Sequence, residues 1–147
     1  MKIAIIGSRE PGNINFAKEL EKRTNIQSGD TIISGGAKGI DSLAAEYATA
    51  HGLALVEIRP DYAKNGRGAT FIRNREIVDN ADMVVAFWNG TSKGTKYTID
   101  YANKKGVIKE NNVIVFDDIL TTGATLIAVD KLLPGKNCLY VVGINNN

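Results

Sequence analysis

Short runs of apolar residues recur along the chain, and a polar or glycine-containing segment separates each run from the next. Continuously apolar runs of this length predict strands that are buried on both faces of a sheet. We predict strands at Lys2–Ile6, Thr31–Ile33, Leu53–Ile58, Asp82–Trp88, Asn112–Phe116 and Leu139–Val142.

Between these runs, apolar residues return every three or four positions, which is the spacing of an amphipathic helix. The clearest case follows the second run, where the inward residues are Ile40, Leu43, Ala44, Tyr47 and Ala48. Further helices are predicted around Ala17 and Leu20 and over Phe71–Asn80, Tyr97–Lys105 and Ala124–Leu133. The segment Asp61–Thr70 is rich in Gly, Asn, Lys and Arg, and we predict a mobile loop there.

Strands that alternate with helices predict an α/β fold with a parallel sheet. We therefore expect one doubly wound, Rossmann-like domain over residues 1–147, with about six mostly parallel strands and helices on both faces. In such sheets, ligands bind beyond the carboxyl ends of the strands, where the strand order reverses.

The composition agrees with an ordinary globular domain, because 44% of the 147 residues are hydrophobic and 23% are charged. No apolar run approaches the roughly 20 residues that a membrane span needs. Cys138 is the only cysteine, which excludes a disulfide framework and a cysteine-based metal site, so we expect a reducing, cytoplasmic setting. The net charge of +2 is too small to indicate nucleic-acid binding by itself.

The second predicted strand leads into Ser34–Asp41, here called the first glycine turn, which carries three glycines before the next helix. Backbone N–H groups and a helix N-terminus at such a turn favour an anion, so the pattern indicates phosphate binding. A tight strand-to-helix connection without a ligand explains the same glycines. Asp41 either binds a ligand hydroxyl or caps the helix.

Other strands are also followed by unusual residues, and parallel strands end at one edge of a sheet. The segment Asn89–Thr95, here called the second glycine turn, occupies the same position after its strand as the first turn does. Trp88 and Tyr97 beside it either stack on a base or pack in the core. We expect these groups to converge on one edge: Gly7-Ser8-Arg9, Ser34–Asp41, Arg59, Trp88–Thr95 and Asp117-Asp118.

Four motifs in order resemble the SLOG superfamily, and most closely the Rossmann domain of DprA/Smf proteins. They are Gly7-Ser8-Arg9, Ser34–Asp41, Phe71-Ile72-Arg73-Asn74-Arg75 and Ser92-Lys93-Gly94-Thr95, within residues 1–106. The superfamily also contains LOG-type phosphoribohydrolases, in which a glutamate assists glycosidic cleavage. Thr98 stands at that position here, and a threonine cannot act as a carboxylate base.

The segment 113–126 resembles the PRPP-binding motif of type I phosphoribosyltransferases. In that family the paired acids, here Asp117 and Asp118, hold the ribose hydroxyls, and the loop Thr121-Thr122-Gly123-Ala124-Thr125 wraps the 5′-phosphate. We expect residues 107–144 to form a strand-helix-strand unit that completes the sheet. Mg²⁺ is expected only if PRPP is the ligand.

Both resemblances imply a ligand that contains ribose 5-phosphate, bound with or without phosphoribosyl transfer or N-glycosidic chemistry at C1. The alternatives are a DprA-like protein that binds single-stranded DNA and a nucleotide sensor. The expected partners are a small nucleotide or phosphoribosyl ligand and further copies of the chain, and no membrane. We assign catalysis to Asp117 and Asp118, and ligand binding to Gly7, Ser8, Arg9, Ser34, Gly35, Gly36, Lys38, Gly39, Asp41, Arg73, Asn74, Ser92, Gly94, Thr95 and Thr121–Thr125.

Overall fold

The computed structural model describes residues 1–104, 114–118 and 138–143 of the chain. Its centre is a parallel β-sheet with the strand order β3-β2-β1-β4-β6-β5. The strands are β1 (Lys2–Gly7), β2 (Thr31–Ser34), β3 (Ala54–Glu57), β4 (Met83–Trp88), β5 (Ile114–Asp118) and β6 (Cys138–Gly143). The first four belong to the continuous stretch 1–104, and the two C-terminal strands extend the sheet beyond β4.

Strand β1 lies at the centre of the topology, because it pairs with β2 on one side and β4 on the other. Ala4, for example, lies opposite Ile33 of β2 and opposite Val84 of β4. The chain fills one side of β1 first and then crosses to the other side. The strand order therefore reverses between β1 and β4, which is the place where doubly wound sheets bind ligands.

Helices cover both faces of the sheet. They are α1 (Phe16–Arg23), α2 (Ile40–Ala50), α3 (Tyr62–Asn65), α4 (Ala69–Asp79) and α5 (Lys93–Lys104), with a 3₁₀ turn at Gly66–Gly68. Ile3 and Ile5 of β1 share a buried cluster with residues of α1 and α2, whereas Ala4 and Ile6 share one with α4 and α5. The predicted fold class, an α/β doubly wound sheet, is confirmed.

The prediction of a mobile loop over Asp61–Thr70 is wrong, because helix α3, the 3₁₀ turn and the start of α4 occupy this segment. Asp61 caps α3, since its Oδ1 accepts a hydrogen bond of 3.0 Å from the N–H of Lys64. Gly66 and Gly68 misled the prediction because glycine has a low helix propensity. Helix α3 is stabilised by the Asp61 cap and has no apolar periodicity that would have predicted it.

Helix α5 begins at Lys93, four residues before the predicted start at Tyr97. The end of the second glycine turn is therefore the first turn of a helix. Strand β5 is displaced towards the C-terminus and ends with Asp117 and Asp118. The predicted helix Ala124–Leu133 lies outside the described residues, and within them no helix is long and apolar enough to cross a bilayer.

Candidate functional site

A cavity of about 440 Å³ opens at the carboxyl ends of β1, β2 and β4, where the strand order reverses. This volume lies within the range of small-molecule sites in proteins. The cavity is lined by the β1 end, the first glycine turn, α4 and the start of α5. Its lining residues are Ile6, Gly7, Ser8, Arg9, Glu10, Ala37, Lys38, Asp41, Thr70, Arg73, Asn74, Ile77, Asn89, Ser92, Gly94, Thr95 and Thr98.

The first glycine turn uses much of its backbone to bond within the chain. The N–H of Gly36 donates to Ser34 Oγ at 3.3 Å, and the N–H of Ala37 donates to Asp41 Oδ2 at 3.1 Å. The N–H of Ile40, at the start of α2, donates to the Ser8 carbonyl at 3.1 Å. The turn therefore already holds one carboxylate and one carbonyl, and these occupy donors that a phosphate would otherwise take.

Gly39 allows the loop after β1 to pass directly over the first glycine turn. Its φ of +80° is a conformation that favours glycine. A Cβ at this position would collide with the carbonyl of Arg9 and lie 2.5 Å from the carbonyl of Ser8. This glycine consequently serves the packing of two backbone segments.

Arg73 reaches the same turn from α4, although it is 38 residues away in sequence. The guanidinium is buried, with only 7% of the residue exposed, and its Nη1 donates to the Gly35 carbonyl at 2.6 Å. Its Nε donates to Asn74 Oδ1 at 2.8 Å. Arg73 therefore ties α4 to the first glycine turn at the wall of the cavity.

Asp41 is buried on the other side of Gly35. A Cβ on Gly35 would lie 2.6 Å from Arg73 Nη1 and 2.8 Å from Asp41 Oδ2, so only glycine leaves room for both groups. Burial raises the pKa of Asp41, although the hydrogen bond from Ala37 and the charge of Arg73 act in the opposite direction. Burial likewise lowers the pKa of Arg73, which the Asp41 carboxylate counteracts. The two groups compensate each other's burial only in part.

The second glycine turn is organised by Asn89, whose Oδ1 accepts from the N–H groups of Thr91 at 2.9 Å and Ser92 at 2.8 Å. Trp88 Nε1 donates to the Ser92 carbonyl at 3.1 Å, which fixes the turn to the end of β4. Among the described residues, nothing accepts a hydrogen bond from the N–H of Lys93 or Gly94. The N-terminus of α5 is thus open beside the cavity.

Ser8 carries a buried hydroxyl with no hydrogen-bond partner in the described part of the chain. The residue is 2% exposed and lines the cavity. Leaving a buried hydroxyl unpaired costs roughly 1 to 3 kcal/mol, so such groups usually have a partner. The cavity is where a ligand oxygen would supply one.

The charges of the lining residues favour an anion. Arg9, Lys38 and Arg73 supply three positive side chains, against the carboxylates of Glu10 and Asp41. Arg9 and Lys38 are exposed, whereas Arg73 is buried. A ligand would therefore meet two exposed cations at the mouth of the cavity and one buried cation in its wall.

The structure brings ten of the predicted ligand-binding residues to one cavity: Gly7, Ser8, Arg9, Lys38, Asp41, Arg73, Asn74, Ser92, Gly94 and Thr95. Four others support the wall without lining it: Ser34, Gly35, Gly36 and Gly39. Asp117 and Asp118 end β5, which β6 separates from β4. The loop Thr121–Thr125 lies outside the described residues.

Sequence reasoning did not assign five polar or small residues that line the cavity: Glu10, Ala37, Thr70, Asn89 and Thr98. Asn89 had a usable signal, because it is the first residue after an apolar strand. Thr70 had none, since it fell in a segment expected to be a loop. Thr98 lines the cavity, but its hydroxyl donates to the Gly94 carbonyl at 2.9 Å within α5.

The structure also shows the contacts of three residues outside the cavity lining: Tyr97, His51 and Arg59. Tyr97 packs edge-on against Phe71, with ring centroids 4.7 Å apart. His51 lies at the end of α2, where its Nδ1 is 2.9 Å from the Tyr47 carbonyl, in agreement with a capping role. Arg59 pairs with Glu57 at 2.8 Å and donates to the Gly36 carbonyl at 3.3 Å.

Two comparisons with known proteins each cover about four fifths of the chain. DNA processing protein A from Helicobacter pylori, described for its single-stranded DNA binding mode, superposes with a TM-score of 0.57 and 24% identity. The superposition covers 82% of this chain and 67% of that one, and it shows a shared fold.

The sequence is also 32% identical over 118 residues to a hypoxanthine/guanine phosphoribosyltransferase of Methanosarcina barkeri. This match covers 80% of the chain but spans about half, 51%, of the length of that relative. A match of this length extends well beyond the PRPP-like segment.

A family model matches the N-terminal part of the chain, which contains the first two of the four motifs. The model is that of the YAcAr family, described as the YspA, cpYpsA-related SLOG family, and it matches residues 1–64. Residues 1–64, which are less than half of the chain, are therefore similar to this SLOG family.

Proposed function

We propose that this protein binds a nucleotide or another ribose 5-phosphate compound in the cavity at the carboxyl edge of the sheet. The observation that carries the proposal is the cavity itself, in which an unpartnered Ser8 hydroxyl and the buried Arg73 adjoin the open N-terminus of α5. A helix N-terminus, a hydroxyl and a guanidinium are together suited to a phosphate. The family match supports the same ligand class.

The phosphate of this ligand is assigned to the second glycine turn rather than to the first. The N–H groups of Lys93 and Gly94 have no acceptor among the described residues, and Gly94 lines the cavity. The first turn has engaged the N–H groups of Gly36, Ala37 and Ile40 within the chain, whereas those of Lys38 and Gly39 have no acceptor among the described residues. Its Lys38 would contribute charge at the mouth.

Phosphoribosyl transfer is the finer proposal, and the match to the Methanosarcina phosphoribosyltransferase favours it. Asp117 and Asp118 end a strand two places from β4 in the sheet, at the same carboxyl edge as the cavity. Since neighbouring strands lie about 4.8 Å apart, the pair is roughly 10 Å from the end of β4, within reach of the sugar of a ligand held at α5. In this proposal the two acids orient the ribose hydroxyls.

Single-stranded DNA binding is the second candidate, and the DprA-like fold favours it. Arg9, Lys38, Arg73 and the exposed Lys93 would then hold successive backbone phosphates. This mode predicts affinity that falls steeply with salt and depends little on base identity.

Calorimetric titration separates these candidates, with ribose 5-phosphate, AMP, GMP, PRPP with Mg²⁺ and a short single-stranded oligonucleotide as ligands. We expect a small phosphate ligand to bind, and Arg9→Ala to weaken it roughly tenfold or more through loss of a charge-assisted hydrogen bond. Lys22→Ala is the matched control, because Lys22 is an exposed cation on α1 that does not line the cavity.

Binding of the oligonucleotide alone would overturn the proposal in favour of DNA binding. If PRPP binds, the double change Asp117→Asn with Asp118→Asn tests the transfer proposal. We expect this variant to lose PRPP affinity and to keep its affinity for a ligand that needs only the phosphate subsite, such as inorganic phosphate. Unchanged PRPP affinity would show that Asp117 and Asp118 do not contribute to the binding site.

A further inference from the structure

Two large aromatic side chains are exposed beside the cavity. Tyr62 on α3 is 59% exposed and Phe71 on α4 is 43% exposed, which makes them prominent among the exposed hydrophobic residues of the described chain. The cavity wall between these helices includes Thr70, Arg73 and Asn74. Exposed rings at the rim of a polar cavity need an explanation that core packing does not provide.

Tyr62 is held over the cavity wall. Its hydroxyl lies 3.3 Å from Oγ1 of Thr70, which lines the cavity. The Tyr62 side chain therefore lies close to a lining hydroxyl, although most of its surface faces solvent.

Phe71 adjoins the same wall one residue further along α4. It packs against the edge of the Tyr97 ring at an interplanar angle of 68°, and this contact orients it. It lies three residues before Asn74, so the two side chains are neighbours on the helix surface. A second oriented ring is therefore present next to the lining residues.

We propose that the Tyr62 ring is the stacking platform for the base of the ligand, with Phe71 extending the same aromatic rim. This inference rests on the proposed function, because it requires the phosphate and sugar of that ligand to lie in the cavity. Aromatic rings stack on any base, and removal of one ring weakens binding of a base by roughly 5- to 150-fold. The inner cavity selects phosphate, and the rim selects a ligand that carries a base.

The test compares AMP with ribose 5-phosphate, which lacks the base, on wild type, Tyr62→Ala and Tyr62→Phe. We expect Tyr62→Ala to weaken AMP at least fivefold and to leave ribose 5-phosphate within twofold of wild type. Tyr62→Phe keeps the ring and loses only the contact with Thr70, so it should keep AMP affinity within about twofold. Phe71→Leu preserves an apolar contact with Tyr97 and should weaken AMP by a smaller factor.

The outcomes distinguish this inference from the proposed function. If wild type binds neither compound, the proposed function fails. If wild type binds both and Tyr62→Ala weakens both equally, or neither, Tyr62 is no base platform and the inference is overturned. The same comparison can be made for DNA. A short single-stranded oligonucleotide then replaces AMP, and an abasic oligonucleotide of the same length replaces ribose 5-phosphate.

Folding is a separate readout in this test. Tyr62 is largely exposed, and its hydrogen bond is to Thr70. Each variant should therefore keep the melting temperature of wild type within a few degrees. The exposed Leu55→Ala on strand β3 is the matched control, because it removes an apolar side chain that does not line the cavity.

Discussion

The two glycine turns occupy the same position in the fold, yet they differ in how their backbone is used. The first turn, Ser34–Asp41, is bonded to its own side chains, to the loop after β1 and to Arg73. The second turn, Asn89–Thr95, is capped from within by Asn89 and presents the open start of α5 to the cavity. The first turn is the more closed of the two, although the N–H groups of its Lys38 and Gly39 also have no acceptor among the described residues.

This difference shows that glycine in a strand-to-helix turn has two distinct physical uses. Gly35 and Gly39 leave room for a guanidinium, a carboxylate and a passing backbone. Gly90 and Gly94 have nothing within 4 Å of an added Cβ, so the space beside them is free. A glycine that is needed for packing supports the cavity from outside, whereas Gly94 is part of the cavity wall and the free space beside it remains available to a ligand.

The strongest test of this contrast is the pair Gly39→Ala and Gly90→Ala. Both residues have a positive φ, +80° and +85°, so both substitutions strain the backbone. Only Gly39→Ala also drives a Cβ into the Arg9 and Ser8 carbonyls. We expect it to lower the free energy of unfolding by about 2 to 4 kcal/mol, against about 1 to 2 for Gly90→Ala, measured by urea denaturation. Equal losses would break the comparison.

A smaller effect is expected from Gly94→Ala, which should separate stability from binding. Gly94 lies in the first turn of α5 with free space beside it, so alanine should stabilise the fold by about 0.4 to 1 kcal/mol. The same methyl group would stand between a phosphate and the helix N-terminus, so affinity for ribose 5-phosphate should fall roughly tenfold. If the folded variant binds ribose 5-phosphate with unchanged affinity, the phosphate subsite is not at α5, and the first turn becomes the candidate.

The smallest expected effect concerns the carboxylate that the first turn encloses. Because burial raises the pKa of Asp41, the folded state holds this proton more tightly than the unfolded state. Stability from this group is therefore present below the ordinary carboxyl pKa near 4 and is lost as pH rises through the higher folded-state value. We expect Asp41→Asn to gain stability relative to wild type as pH rises over this range, in melting curves taken at several pH values.

Asp30 supplies the matched control for that experiment, because its pKa is lowered, mainly by the hydrogen bond from the N–H of Gln27. Its contribution to stability is present above the ordinary carboxyl pKa and is lost as pH falls through the folded-state value. Asp30→Asn should therefore lose stability relative to wild type as pH rises. If the stability of both variants relative to wild type changed with pH in the same direction, the raised pKa assigned to Asp41 would be contradicted.

Strands were the most predictable part of this fold. β1 to β4 lie within one or two residues of the predicted runs, because continuous apolar runs leave a strong signal. The predicted burial on both faces is wrong for β3, whose four residues are all exposed at the edge of the sheet. The start of α5 was missed because Gly94 and Thr95 are weak helix formers, and the side chain that caps this end is Ser92, whose Oγ accepts from the N–H of Thr95 at 3.5 Å. The binding roles of Gly94 and Thr95 stay predictions. The expected oligomer and the expected cytoplasmic setting also stay predictions.

The amino-acid sequence by itself determined the α/β class, the position of the two glycine turns and the edge of the sheet at which the cavity lies. Local patterns suffice for this, since strand ends, glycines and caps are properties of neighbouring residues. Only the tertiary structure decided which turn is closed, because Arg73 reaches Gly35 across 38 residues and the Ser8 carbonyl reaches Ile40 from another strand. Hydrogen bonds between distant segments determine which backbone donors remain for a ligand, and no local pattern records them.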